Sequence, residues 1–106
     1  MKKIILTIDT SKYDVLIVCL KIDEKEVVIE EKFDFRKSQG VLPLLKKILK
    51  QENVDFSEIT EIKVNPGPGS FTGVRVGVAI ANTLGLVLQI SVNGNAIGKP
   101  VEPVFE

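Results

Sequence analysis

The sequence predicts an α/β fold: a mixed five-stranded sheet with two helices, in the order βββαβαβ. Three observations predict it. Short apolar runs alternate with polar turns through the first third of the chain. The apolar period then lengthens from two to about 3.6 over residues 41–49. Finally, a Gly-Pro-rich loop at 66–69 separates a short strand from a long apolar helix. A three-strand meander followed by two right-handed crossovers sets both helices on one side of a mixed sheet.

The elements follow in order. Ile4 to Ile8, ending at Asp9, is apolar enough for a central strand buried on both faces. Asp9-Thr10-Ser11-Lys12 turns the chain into a second apolar run, Val15 to Leu20, and Asp23-Glu24-Lys25 turns it again. The third run alternates: Val27, Ile29, Phe33 and Phe35 point one way and Glu30, Lys32 and Asp34 the other, as at a sheet edge. Val41, Leu45 and Ile48, flanked by Leu42 and Leu49, make a helical stripe with Lys46, Lys47 and Lys50 opposite, a solvated face. Ser38 can cap this helix, and Pro43 fits only near its first turn. Residues 53–59 read as a loop with one short turn, Glu61 to Asn65 as a fourth strand, Ser70 to Gln89 as the second helix, and Ile90 to Val92 as a fifth strand. The tail after Gly94, with Pro100 and Pro103, is expected to be extended. This ordering is that of the ribonuclease H-like, actin-like half-domain, here residues 1–94, with 95–106 as the tail.

Composition narrows the chemistry. At 106 residues the chain is one domain, and fourteen basic residues balance fourteen acidic ones, so no net field attracts nucleic acid or an anionic membrane. Histidine is absent, which removes imidazole acid–base catalysis, Ser-His-Asp and Cys-His triads and the usual zinc sets. The single Cys19, in an apolar run, excludes a disulfide framework and suits a reducing compartment as a buried thiol. No secretory leader is recognisable at the N-terminus, and the apolar stretch 76–88 is short for a bilayer crossing and carries Asn82 and Thr83. Neither a metal site nor a catalytic residue nor a cofactor is expected.

Two segments carry functional signal. The loop Gly67, Pro68, Gly69, Ser70, Phe71, Thr72, Gly73, with Arg75 beyond, opens the long helix. It reads either as a phosphate cradle at a helix N-terminus or as a turn shaped to start the helix. A P-loop needs lysine after its last glycine, and Val74 stands there. Asp9-Thr10-Ser11 is either a polar turn or the strand-end acid and hydroxyl of a phosphate site. In the long helix, Val76, Ile80, Leu84 and Val87 form one apolar face, expected on the sheet. Val74, Val78, Ala81 and Gly85 form a second, with Arg75, Asn82 and Gln89 tracing a narrow polar line. The second face is expected either to dock another protein or to be covered by the first helix.

These residues resemble the TsaB (YeaZ) family, the dimerization subunit of the complex that makes N6-threonylcarbamoyladenosine on tRNA. The resemblance rests on Ile8-Asp9-Thr10-Ser11, Leu42-Pro43-Leu44 and above all Gly67-Pro68-Gly69-Ser70-Phe71-Thr72-Gly73-Val74-Arg75-Val76-Gly77, in order over residues 4 to 92. It implies an actin-like fold without catalytic capacity, a cytoplasmic setting and a heterodimer with the TsaD-like catalytic subunit. It also implies a TsaE-like ATPase as third member and only indirect contact with tRNA. The implied interface is Val74, Val78, Ala81, Asn82 and Gly85, beside Leu42, Leu45 and Leu49. Members carry a second actin-like half and a histidine before the first helix; here Lys37-Ser38-Gln39 stands in the histidine's place. The segment Lys99 to Phe105 resembles the extreme C-terminus of full-length members, as natural loss of the second half would leave it. A nucleotide-binding actin-like enzyme and a self-contained homodimer are the rival readings.

Overall fold

The strand Ile4–Asp9 (β1) is the axis on which the sheet is built, and a computed structural model describes residues 2–32 and 37–104 around it. β1 pairs antiparallel with Val15–Ile22 (β2), which pairs antiparallel with Lys25–Lys32 (β3). On its other side β1 pairs in parallel with Glu61–Val64 (β4), and β4 with the short Ser91–Val92 (β5). The sheet order is β3-β2-β1-β4-β5, the mixed five-stranded arrangement the element order predicts. β3 lies at an edge, as its alternation implies. The Phe33 and Phe35 end of that run lies outside the described residues, and Ser38, expected as a helix cap, falls inside the first helix, which already begins at Lys37.

Two helices supply the crossovers, Lys37–Gln51 (α1) and Phe71–Leu88 (α2), with a 3₁₀ turn at Phe56–Glu58 between α1 and β4. α1 packs over β2, α2 over β4, β1 and β5, and the helices touch each other, so both cover one face. Register fixes which strand residues meet them: Leu6 stands opposite Leu20 and Ile62, and with Ile4, Ile8, Leu16, Val18, Val64 and Val92 it points into the core. α1 contributes Val41, Leu44, Leu45, Ile48 and Leu49. Ile5, Thr7, Ile17, Cys19 and Val28 alternate to the opposite face, which no helix covers among the described residues. Cys19 is therefore half-buried rather than buried. Burial, then the nearby Glu26, raises its thiol above the ordinary value.

α1 begins several residues earlier than its apolar stripe, so Pro43 falls inside the helix rather than in the first turn. Its missing N–H costs one backbone bond on an exposed flank, where water can serve the orphaned carbonyl. α2 is capped by Ser70 and by Gln89 in the left-handed conformation, matching the expected ends. By length and composition it is the one helix among the described residues that could cross a bilayer, yet one of its faces is covered by the sheet.

Residues after β5 return to the body. Asn93 continues the ladder with its side chain, accepting from the Val64 N–H at 2.8 Å and donating to the Val64 carbonyl at 3.0 Å. Asn82 of α2 then grips Val101 by both backbone groups: Val101 N–H donates to Asn82 Oδ1 at 2.8 Å, and Asn82 Nδ2 donates to the Val101 carbonyl at 3.0 Å. The Val101 side chain is buried, and the Val104 N–H donates to the Pro66 carbonyl.

Candidate partner-docking face

The end of β1 and the loop before α2 form one hydrogen-bonded unit. Asp9 Oδ1 accepts from the Ser11 N–H at 2.9 Å and the Ser11 hydroxyl at 2.6 Å, while Oδ2 accepts from Asn65 Nδ2 at 3.3 Å. Asn65 Nδ2 also donates to Ser11 Oγ, and Asn65 Oδ1 accepts from the Gly67 N–H. The Ser11 carbonyl accepts from the Ser70 N–H, and the buried Thr10 hydroxyl donates to the Gly73 carbonyl. Burial alone would raise the Asp9 carboxyl. The hydrogen bonds from Ser11 and Asn65 and the charge of Lys12 outweigh it, and the net shift is below the ordinary value. These polar groups serve one another. The arrangement is that of a turn shaped to start a helix, with the Gly67–Pro68 peptide in cis.

The loop residues divide by exposure. Gly73 is buried, Gly67 and Ser70 are half-buried, and Pro68, Gly69, Phe71 and Thr72 are exposed. Arg75 is exposed too, its guanidinium 5.2 Å from the Phe71 ring centre.

The second apolar face of α2, expected to be free, is the one buried most deeply, while Val76, Ile80 and Leu84 of the face expected on the sheet pack only partly against the same core. Val74, Val78 and Ala81 are 0%, 4% and 0% exposed, and Gly85 is buried, so they lie against the sheet and are no docking face. The reason is steric. Gly73, Gly77, Ala81 and Gly85 recur every four residues and form a low stripe along which the strands come close to the helix backbone. A Cβ on Gly77 would collide with Thr10 Oγ1, and one on Gly85 with Val92 Cγ2. Small residues do let a neighbour approach closely; here the neighbour is the chain's own sheet. Leu45 and Leu49 are likewise buried, and Asn82 is engaged by Val101, so none of them is available to a partner. Of the expected interface set only Leu42 is exposed.

Of the residues expected on the sheet only Val87 turns fully outward, and Phe71 and Leu86 are exposed with it. Phe71 and Leu86 are each 58% exposed and Val87 71%, with Val76, Ile80 and Leu84 half-buried behind them. At about 100° per residue, Ile80 and Val87 lie roughly 140–160° round the helix from Asn82. Since Asn82 faces the returning tail, Val76, Ile80 and Val87 turn to the α1 side. On α1, Lys47 reaches β3 to pair with Glu31 at 2.8 Å, while Leu42, roughly 140° away, faces the α2 side. Leu42 on α1 and Val76, Ile80 and Val87 on α2 thus lie on the sides of the two helices that turn toward each other. Leu86 and Val87 carried a sequence signal only in the spacing of the small residues, which fixes the opposite face as the buried one.

Comparison with known proteins gives consistent matches. Residues 31–94, more than half of the chain, match the family model described as TsaD: tRNA N6-adenosine threonylcarbamoyltransferase. A Buchnera aphidicola protein named tRNA threonylcarbamoyladenosine biosynthesis protein TsaB is 33% identical over 92 residues, 87% of this chain and 41% of that protein. The protein of the same name from Bacillus subtilis is 32% identical, covering 96% of this chain and 49% of its own length. Among solved structures, YeaZ from Pseudomonas aeruginosa superposes with a TM-score of 0.82 at 28% identity, over 89% of this chain and 44% of that one. The chain therefore spans somewhat less than half the length of these relatives. Its fold is the actin-like half-domain of YeaZ.

Proposed function

Because the chain belongs to the threonylcarbamoyltransferase family, within its TsaB (YeaZ) group, we propose that it is a non-catalytic subunit of tRNA threonylcarbamoyladenosine synthesis, docking the TsaD-like catalytic subunit through α1 and α2. The observation that carries this reading is the outer face of α2. After the sheet has taken the inner face, Val87 still stands in solvent on the side of α2 that turns toward the exposed Leu42 of α1, and Phe71 and Leu86 stand in solvent on the side toward the tail. A contiguous apolar surface rimmed by polar groups marks an interaction site in a soluble protein. The relatives' names support the process, and the exposed apolar surface supports the role. The domain reading follows: residues 1–94 form the docking half-domain, and the tail is a strap across α2. Contact with tRNA runs through the catalytic subunit, in the cytoplasm, and a TsaE-like ATPase joins the assembled pair.

The rival reading, nucleotide binding at Asp9, Ser11 and the Gly67 loop, has less support, because these groups satisfy one another. Co-expression with the TsaD-like protein of the same host tests the proposal. The wild-type chain should co-purify in stoichiometric amount. Val87→Asp and Leu42→Asp should each weaken capture by roughly tenfold or more, as loss of a central interface contact does, with the melting temperature unchanged. Undiminished capture by both variants would remove the proposed face, and micromolar ATP binding by the chain alone would favour the rival.

A further inference from the structure

The chain has five asparagines, and the residue after each separates them chemically. Asn53 precedes Val54 and Asn82 precedes Thr83, whose branched side chains crowd the N–H that follows the asparagine. Asn65 precedes Pro66, which has no N–H, and Asn95 precedes Ala96. Asn93 alone precedes glycine, directly after β5. The turn there uses both residues. Asn93 and Gly94 have φ of 53° and 76°, and the Asn95 N–H donates to the Val92 carbonyl at 3.0 Å. Two successive residues with positive φ make the kind of turn that favours Asn-Gly.

Asn93 also extends the sheet. Its N–H donates to the Ile62 carbonyl at 2.9 Å, joining it to β4. Its side-chain amide then takes over the ladder, accepting from the Val64 N–H and donating to the Val64 carbonyl. A carboxylate could do only the first of these. The residue that this ladder requires is thus the one that its glycine neighbour makes labile.

We propose that Asn93 is a self-modification site: when β5 opens, the Gly94 nitrogen attacks Asn93 Cγ, and the product cannot remake the two-sided clamp on Val64. In the first step a Gly94 N–Cγ bond forms, the Cγ–Nδ2 bond breaks, and the amide group leaves as ammonia with the proton that Gly94 gives up. A cyclic imide remains. Water then adds at either imide carbonyl. Opening one C–N bond leaves aspartate, and opening the other leaves isoaspartate, whose main chain runs through Cγ. While β5 is paired, Val64 holds the amide at both ends, and turning it toward the Gly94 nitrogen costs both hydrogen bonds. β5 is two residues long at the sheet edge, so it opens far more often than the whole domain unfolds. In the aspartate product an oxygen stands where Nδ2 donated and faces the Val64 carbonyl. Isoaspartate lengthens the turn by a methylene. Either product loosens the seat of Val92, whose Cγ2 fills the space over Gly85 of α2, and with it the root of the tail strap.

The test ages the full chain at mildly alkaline pH, folded and in urea, and follows each asparagine by peptide mass spectrometry. An isoaspartyl methyltransferase serves as the probe for isoaspartate. Asn93 should convert first of the five asparagines. It should convert more slowly by about tenfold or more in the folded chain than in urea, because the gated rate is the open-chain rate scaled by the open fraction. Val92→Ala, which removes a buried contact of β5, should raise the folded rate several-fold and leave the rate in urea unchanged. Asn93→Asp should accelerate hydrogen exchange at positions 64, 93 and 95 while exchange in β1 and β2 holds. Equal rates with and without urea would overturn the gating, and earlier conversion of another asparagine would overturn the site. Unchanged exchange in Asn93→Asp would overturn the loss of the clamp. Should Val92→Ala fail to fold, as its thermal melt would reveal, the wild-type comparison with and without urea still decides the gating.

Discussion

The two sides of α2 are nearly matched in hydrophobicity and opposite in shape. The inner side, Gly73, Gly77, Ala81 and Gly85 with Val74 and Val78, is low and flat and is buried completely. The outer side, Val76, Ile80, Leu86 and Val87, is high and ridged and stays partly in water. A sheet is a broad surface, and a helix packs on it best through its flattest face, where backbone and strand approach most closely. Aliphatic bulk then falls to the side that a narrower, shaped partner can grip. When two faces of a helix are both apolar, size decides which one the chain keeps for itself.

That contrast can be attacked from the inside first. Ala81→Asp places a charge where none can be hydrated and should destabilise the fold by about 3–5 kcal/mol, as uncompensated buried charges do. Chemical denaturation reads it directly, and Val87→Asp should shift the same curve by less than about 0.5 kcal/mol as a surface change. An equal effect of the two would erase the distinction between the faces. Gly77→Ala is milder: the added methyl meets Thr10 Oγ1, and such overpacking costs about 1–3 kcal/mol. Pairing it with Thr10→Ala removes the obstacle, so the double variant should be more stable than the sum of the single effects predicts.

Smaller again is Asn82→Ala, which deletes two hydrogen bonds to the Val101 backbone and should cost about 1–2 kcal/mol. Hydrogen exchange should then accelerate at Val101 and Val104 before it does in the sheet. The smallest effect concerns pH. The folded carboxyl of Asp9 titrates below its unfolded value, so its contribution is present above the ordinary carboxylate pKa. It is lost as pH falls through the folded value. Stability should decline in that acid window, and Asp9→Asn should flatten the decline as followed by thermal melts.

The strand order, the edge position of β3, both ends of α2 and the junction at 65–70 were legible in the sequence, because each rests on a local signal. Period-two alternation, Gly-Pro punctuation and the Ser70 hydroxyl are read over a few residues. The orientation of α2 was not legible in the same way. Val74 and Val76 are identical in kind, and only contact with the strands tells them apart. The regular recurrence of Gly73, Gly77, Ala81 and Gly85 was the available clue, and its weight depends on knowing that a sheet rather than another helix lies beneath. Asn82 shows the same limit. In sequence it marks a polar line on the helix; in the fold it is the hook for a segment nineteen residues further on.

That hook has a mechanical consequence. β1 and β4 run in parallel, so residue 2 and residue 104 lie at opposite ends of the central strands, the latter beside Pro66. Tension applied between them would meet the strap first, peeling Val104 from Pro66 and then Val101 from Asn82 one bond at a time, before the β1–β4 pair is loaded lengthwise in shear. The domain should therefore yield in two stages under force, a soft unbuckling followed by a stiff rupture.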